Sequence, residues 1–170
     1  MDIESVLYSP LEDLADALSD LRNAQFQNFG NVLARFLSLF REEPLAGFLH
    51  AVLPAVDFGA WWERAKSTGG STVGSGTLEW PIGRAERVAM QLELCRAIAK
   101  GEIEFLNFAL HYCNAGSNQL SAQVREFADV ILEPMVRDIR RLAETRALPP
   151  VLFEVRGQLP ESGDDSRVSL

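Results

Sequence analysis

Residues 11–40 read LEDLADALSDLRNAQFQNFGNVLARFLSLF, and their apolar side chains recur at helical spacing. Positions three or four residues apart lie on the same side of an α-helix, so this spacing builds one apolar stripe. The pattern loses phase over residues 23–27 and then resumes with several phenylalanines. We therefore predict either one long, bent helix over residues 10–42 or two helices that meet near residues 23–27.

The residues just before this stripe carry a helix start signal. Ser9 and Glu12 form a capping box with Pro10 at the first helical position, so we expect Ser9 to cap a helix that begins at Pro10. The phenylalanines of the second half suit either a face turned toward the core or a face for self-association.

A short apolar segment follows Pro44 and ends at Pro54. Residues 45–53 are apolar on nearly every side, which is typical of a buried helix, so we expect a central element here. His50 lies within this segment, and we interpret it as a packed, hydrogen-bonded side chain rather than a ligand.

Asp57 is positioned to cap the next helix, which carries Trp61 and Trp62. Adjacent residues of an α-helix point about 100° apart, so one ring can be buried while the other sits at a boundary. Aromatic residues are enriched at interface hot spots. We therefore consider Trp61, Trp62, Trp80 and Phe153 as candidates for contact with a protein partner.

A Gly-rich loop over residues 67–80 reads STGGSTVGSGTLEW. A nucleotide-binding P-loop needs a lysine after its second conserved glycine, and Ser75 occupies that position here. Backbone N–H groups of such a loop can still hold an anion weakly. The candidate residues for an anion or small ligand are Gly70, Ser71, Thr72, Gly74 and Ser75.

Three further helices complete the helical pattern. One spans residues 82–100 and stops at Gly101, the next follows Glu102 and Glu104, and the last runs over residues 119–146 with a kink or split at Pro134. We expect an all-α fold, a compact bundle of about six helices. Residues 1–148 form the single helical domain, and residues 149–170 form an extended or disordered C-terminal arm.

The formal net charge is -8 and the pI is about 4.8, which disfavours nucleic acid and anionic membranes as partners because both are polyanions. The N-terminus carries acids where a secretory signal needs cations, and no apolar run reaches the roughly 20 residues of a membrane helix. We expect a cytoplasmic protein without metal or cofactor.

Cys95 and Cys113 lack metal-site spacing and fit small buried side chains.

The segment from Leu106 to His111 loosely resembles a motif of a helical, metal-independent RNase family. That resemblance implies an Arg followed by a His, which face each other in a dimer and cleave RNA. Asn107 and His111 match the pattern, but Leu106 stands where the family has its arginine. Without that guanidinium the transition state loses its stabilising charge, so the resemblance implies an inactive copy.

The pair Trp61-Trp62 before a Gly-rich loop that ends in Glu79-Trp80-Pro81 resembles uncharacterised bacterial cytosolic proteins. Because no catalytic motif is evident, we predict a non-enzymatic protein that binds a protein partner or forms a homo-oligomer, in a defence or toxin-neutralising system. The alternatives are the RNase-like protein and a small-ligand binding protein that uses the Gly-rich loop.

Overall fold

The computed structural model describes residues 3–70, 74–113 and 116–147, and within these ranges it contains helices and no β-strand. The α-helices are α1 (Ile3–Arg22), α2 (Phe29–Leu39), α3 (Leu45–Val52), α4 (Phe58–Thr68), α5 (Arg84–Ala99), α6 (Phe105–Phe108), α7 (Leu120–Phe127) and α8 (Glu133–Ala147). A 3₁₀ turn (Phe26–Asn28) precedes α2, and π-helical turns follow α6 (Ala109–Cys113) and join α7 to α8 (Ala128–Leu132). The all-α prediction is confirmed for these ranges, whereas the predicted arm over residues 149–170 lies outside them.

Four helices, α1, α2, α5 and α8, pack as an antiparallel bundle, and the other helices add buried residues to the same core. Arg22 at the end of α1 bonds to Glu133 at the start of α8, and Arg140 further along α8 reaches back to Glu12. α5 also runs opposite to α8, since Arg87 near the start of α5 bonds to Asp138 within α8, while Phe105, beyond the end of α5, packs against Phe127, which precedes α8. The apolar stripes of all four helices meet along the bundle axis, as in other helical bundles.

The central helix is α5 rather than α3. Nine residues of α5 are buried, whereas α3 buries only Leu45 and Leu49. The prediction that the segment over residues 45–53 is a central element is therefore wrong. His50 is exposed, so its interpretation as a packed side chain is also wrong. A helix that is apolar all round needs neighbours on every side to be buried, and α3 lies on the outside of the bundle.

The first helix begins well before the capping box, so the predicted start at Pro10, with Ser9 as its cap, is wrong. α1 starts at Ile3 and includes Pro10 in its interior. Proline removes one backbone hydrogen bond, at roughly 3 kcal/mol within a helix. Leu7 lies one turn before Leu11 in the apolar stripe and is only 1% exposed. Its burial contributes about 1.5–3 kcal/mol, which offsets the loss at the proline.

The chain turns between α1 and α2 over residues 23–28. Of the two alternatives, two helices that meet near residues 23–27 are confirmed, and one long, bent helix over residues 10–42 is wrong. The phenylalanines of α2 point into the core, and Phe29 stacks on Phe105 with ring centroids 3.9 Å apart. Phe36 and Phe40 are buried as well. The alternative of a self-association face on these phenylalanines is therefore wrong.

The chain is helical without a gap from Leu120 to Ala147, but over residues 128–132 the α-helix widens into a π-helical turn. This turn lies immediately before Pro134, whose missing N–H leaves a carbonyl of the preceding turn without its usual donor. The widened turn is the local distortion that the proline predicts.

Both cysteines are free and buried, as predicted. Burial raises the pKa of each thiol to about 12. Buried thiols with few thiolate anions are inert toward oxidants and metals.

Candidate functional site

A groove of about 480 Å³ opens between α4, the Gly-rich loop and the segment that leads into α6. It is the place where the largest number of sequence-predicted site residues meet. We call it the aromatic groove. Its lining residues are Trp62, Lys66, Gly69, Gly70, Glu102, Ile103, Glu104, Asn107, Phe108, His111 and Tyr112.

The Gly-rich loop is fastened to the π-helical turn after α6. Gly74 donates its N–H to the carbonyl of Leu110 at 3.0 Å, and Gly76 donates to the carbonyl of His111 at 3.1 Å. Carbonyls in the last turn of a helix have no donor within the helix, so the loop supplies the missing partners. The described part of the loop around Gly74 and Gly76 is thereby held beside the aromatic groove.

Glycine is required at position 76 because the loop passes directly over Tyr112. A Cβ atom built there would lie 2.5 Å from Cδ1 and 3.0 Å from Cζ of the ring, and closer still to Cε1. Tyr112 is itself fixed, since its hydroxyl donates to the carbonyl of Ala65 at 3.1 Å and its ring stacks on Phe108. Burial raises the pKa of Tyr112, although the nearby Lys66 opposes this shift.

The two adjacent tryptophans have different environments, as the helical geometry predicts. Trp61 is 2% exposed, stacks on Trp80 at 4.8 Å, and donates its indole N–H to the carbonyl of Glu79. Trp62 is half-buried and lies against Phe108 and Tyr112, at centroid distances of 6.0 and 5.6 Å. Only Trp62 lines the aromatic groove, and the pair of Trp61 and Trp80 holds the end of the loop against α4.

Carboxylates dominate the charge of the aromatic groove. Glu102 and Glu104 are both exposed at its edge, and Glu102 lies 4.0 Å from the exposed Lys100. Lys66, the lysine among the described lining residues, is paired with Glu63 at 2.5 Å. Glu104 also caps α6, because it accepts the backbone N–H groups of Leu106 and Asn107. The groove therefore combines an apolar aromatic wall with a net negative edge.

Asn107 and His111 lie on the same side of the groove, one helical turn apart. Nδ1 of His111 bonds to the backbone carbonyl of Asn107 at 2.8 Å. A carbonyl only accepts, so Nδ1 carries the proton and Nε2 is the acceptor of the neutral ring. Leu106 does not line the groove, and among the described lining residues the cation is Lys66 from α4. No hydroxyl among the lining residues is free to act as a nucleophile beside His111, since Tyr112 donates to Ala65.

Two of the N–H groups of the candidate anion loop donate to acceptors within the protein. Gly70 donates to Oγ of Ser75 at 2.9 Å, and Gly74 donates to a carbonyl. Ser71 and Thr72 lie outside the described residues, as does Phe153. Lys66, Glu102 and Tyr112 were not predicted as site residues, because nothing in their local sequence indicates that α4 and the π-helical turn come together.

Comparison with protein-family models, with curated proteins and with solved structures finds no match to this chain. Within the described ranges, no group of three or more His, Cys, Asp or Glu side chains is arranged to hold a metal ion. In the same part of the chain, each helix is too short or too polar to cross a membrane. The function is therefore argued from the aromatic groove itself.

Proposed function

We propose that this protein is a non-enzymatic binding protein that holds a segment of a protein partner in the aromatic groove. The observation that carries the proposal is the combination of an aromatic wall, formed by Trp62, Phe108 and Tyr112, with the carboxylates of Glu102 and Glu104. The segment that fits this chemistry has a lysine or arginine beside an apolar side chain.

The apolar part of the site supplies binding energy. Trp62 is half-buried before any partner binds, so it is already ordered and loses little side-chain entropy on contact. Tryptophan is among the residues most enriched at interface hot spots, and its face also attracts cations. The rigid wall behind it, made by Phe108 and Tyr112, keeps the ring in place.

The charged part of the site selects the partner. Glu102 and Glu104 attract a cation, because the contact of Glu102 with Lys100 is long, at 4.0 Å between exposed groups. The charge of Lys66 is already offset by Glu63. The net charge of -8 would also steer a basic protein toward the surface. A role in neutralising a basic toxin or nuclease in the bacterial cytosol is consistent with this polarity.

The same charges argue against the two alternative functions. An RNA strand would bring its phosphates next to Glu102 and Glu104, and Leu106 supplies no guanidinium to the reaction. A phosphate ligand in the Gly-rich loop would compete with the bonds that Gly70 and Gly74 already make. We therefore favour a protein segment as the occupant of the groove.

A selection of random peptides displayed on phage tests the proposal. Against the immobilised protein, the enriched sequences should carry lysine or arginine next to a large apolar residue. A synthetic peptide of the enriched sequence should lose at least about tenfold in affinity against Glu102→Lys, which corresponds to about 1.4 kcal/mol. The matched control is Asp20→Lys, the same charge change at an exposed position of α1 outside the groove.

Two results would contradict the proposal. The first is enrichment of acidic or uncharged peptides. The second is an enriched peptide whose affinity changes equally in Glu102→Lys and Asp20→Lys, because that result would indicate long-range attraction to an acidic protein rather than binding in the aromatic groove.

A further inference from the structure

Ile82 is the most exposed of the large apolar side chains in the described part of the chain, at 98% of its free surface. It lies in the turn between Trp80 and α5, and its neighbours Pro81 and Gly83 give the turn its shape. A large aliphatic side chain fully in water contributes nothing to the folded core. The exposed side chain of Ile82 is therefore a candidate contact for another protein.

The turn that carries Ile82 is held from both sides. On one side Trp80 stacks on Trp61. On the other, the guanidinium of Arg87 approaches the carbonyls of Pro81 and Ile82 at 3.5 and 3.4 Å. A contact residue whose backbone is fixed in advance loses less entropy on binding than one in a mobile loop.

Arg87 is held in turn by a buried carboxylate. Asp138 of α8 is 5% exposed, and it accepts from Nε of Arg87 at 2.8 Å and from the Nη2 group at 2.7 Å. Arg84 approaches the same carboxylate at 3.5 Å, yet its side chain remains 45% exposed beside Ile82. The turn therefore presents an apolar side chain next to a cation.

A complementary pocket lies where α1 begins and where α2 is followed by α3. It has a volume of about 310 Å³, and we call it the end pocket. Apolar side chains and carboxylates line it together. They are Val6, Leu39 and Leu45 on the apolar side and Asp13, Glu42 and Glu43 on the charged side.

The turn and the end pocket lie at the same end of the bundle. Asp138 binds Arg87 on one flank of α8, and Arg140, two residues later, binds Glu12 on the other flank. Both α1 and α5 run antiparallel to α8, so both begin toward the end at which α8 finishes. A twofold axis through that end would bring each turn to the end pocket of a second copy.

We propose that two copies of this chain associate through this end, with Ile82 of each copy in the end pocket of the other. Arg84 then lies near Asp13 and Glu42 across the interface, and opposite charges replace the repulsion expected between two acidic chains. This contact involves neither Trp62 nor Glu102, so it is independent of the aromatic groove.

Sedimentation equilibrium of the full chain tests the contact. The wild type should be a dimer at micromolar concentration, and Ile82→Asp should weaken the dimer at least about tenfold, as expected for a central interface residue. The fold should not change, because Ile82 makes no core contact. The matched control is Leu120→Asp, at a 38% exposed leucine of α7, which should leave the dimer constant unchanged.

A charge exchange distinguishes this interface from general apolar association. Arg84→Glu alone and Glu42→Lys alone should each weaken the dimer, and the two changes together should restore it. A wild type that stays monomeric at high concentration would overturn the proposal. So would a dimer that is indifferent to Ile82→Asp, or a double variant that is weaker than both single variants.

Discussion

Replacing Gly76 with alanine should destabilise the protein through one side chain, Tyr112. The new Cβ would overlap the ring, since it would lie 2.5 Å from Cδ1. The ring cannot retreat freely, because its hydroxyl is bonded to Ala65 and its other face is stacked on Phe108. The loop must therefore move away from the π-helical turn.

The magnitude follows from what that movement breaks. Overpacking costs about 1–3 kcal/mol, and the two bonds from Gly74 and Gly76 to the carbonyls of Leu110 and His111 contribute about 1 kcal/mol each. We expect the free energy of unfolding to fall by about 3–5 kcal/mol. The melting temperature should fall by roughly 6–20 °C for a chain of this size.

Urea unfolding, followed by tryptophan fluorescence, measures the change in the free energy of unfolding. Two further variants serve as controls. Gly30→Ala is the matched control, because nothing lies within 4 Å of its Cβ and it stands in the exposed face of α2, where alanine should stabilise by about 0.5–1 kcal/mol. In a Tyr112→Ala background, Gly76→Ala should lose most of its effect, since the ring it meets is gone. A Gly76→Ala protein as stable as the wild type, or equally destabilised with and without the ring, would refute the reasoning.

Three other outcomes are expected. Leu7→Ala should reduce the free energy of unfolding by about 2–5 kcal/mol in denaturant titrations, because α1 buries this leucine before the proline; a loss under about 0.5 kcal/mol would place the helix start later. Asp138→Ala should lower the free energy of unfolding by about 3–5 kcal/mol, because it leaves the guanidinium of Arg87 without its carboxylate partner. An unchanged free energy of unfolding would mean that this guanidinium is solvated by water instead. At pH 8 the native thiols of Cys95 and Cys113 should react with a thiol reagent about a thousandfold more slowly than in denaturant. The reason is that a pKa of about 12 instead of 9.0 lowers the thiolate fraction by that factor; rapid labelling of the native protein would contradict it.

The apolar spacing predicted much of the bundle. Residues 11–40 indicated two helices and the break between them, and Gly101 marked the end of α5. Gly101 has φ +75°, a conformation that glycine adopts without the steric penalty of a side chain. These features depend on neighbours along the chain, which is the information that periodicity carries.

Burial by distant neighbours was harder to predict. The composition of residues 45–53 indicated a central helix, yet α5 occupies the centre. α5 buries the polar Gln91 next to Met90, so its sequence lacks the uniformly apolar composition that would have indicated a central helix. Pro10 likewise indicated a helix start that the burial of Leu7 overrides. In both cases a tertiary contact outweighs a local preference.

The aromatic groove was predicted only in pieces. Trp62 and the pair of Asn107 and His111 were singled out for separate reasons, and the structure places them in one site. Lys66 and Glu102 join them because the Gly-rich loop folds α4 back against the π-helical turn. That turn is a π-helix of five residues, and the 3.6-residue spacing of apolar side chains does not distinguish a π-helix from an α-helix.

Amide hydrogen exchange of the Gly-rich loop, read by NMR at individual glycines, tests the construction of the aromatic groove most directly. The N–H groups of Gly74 and Gly76 donate to carbonyls, so they should exchange at least about tenfold more slowly than that of Gly59, in the exposed first turn of α4. Equal exchange at all three glycines, each at the rate of an unfolded peptide, would show that the loop is not fastened and that the groove lacks this wall.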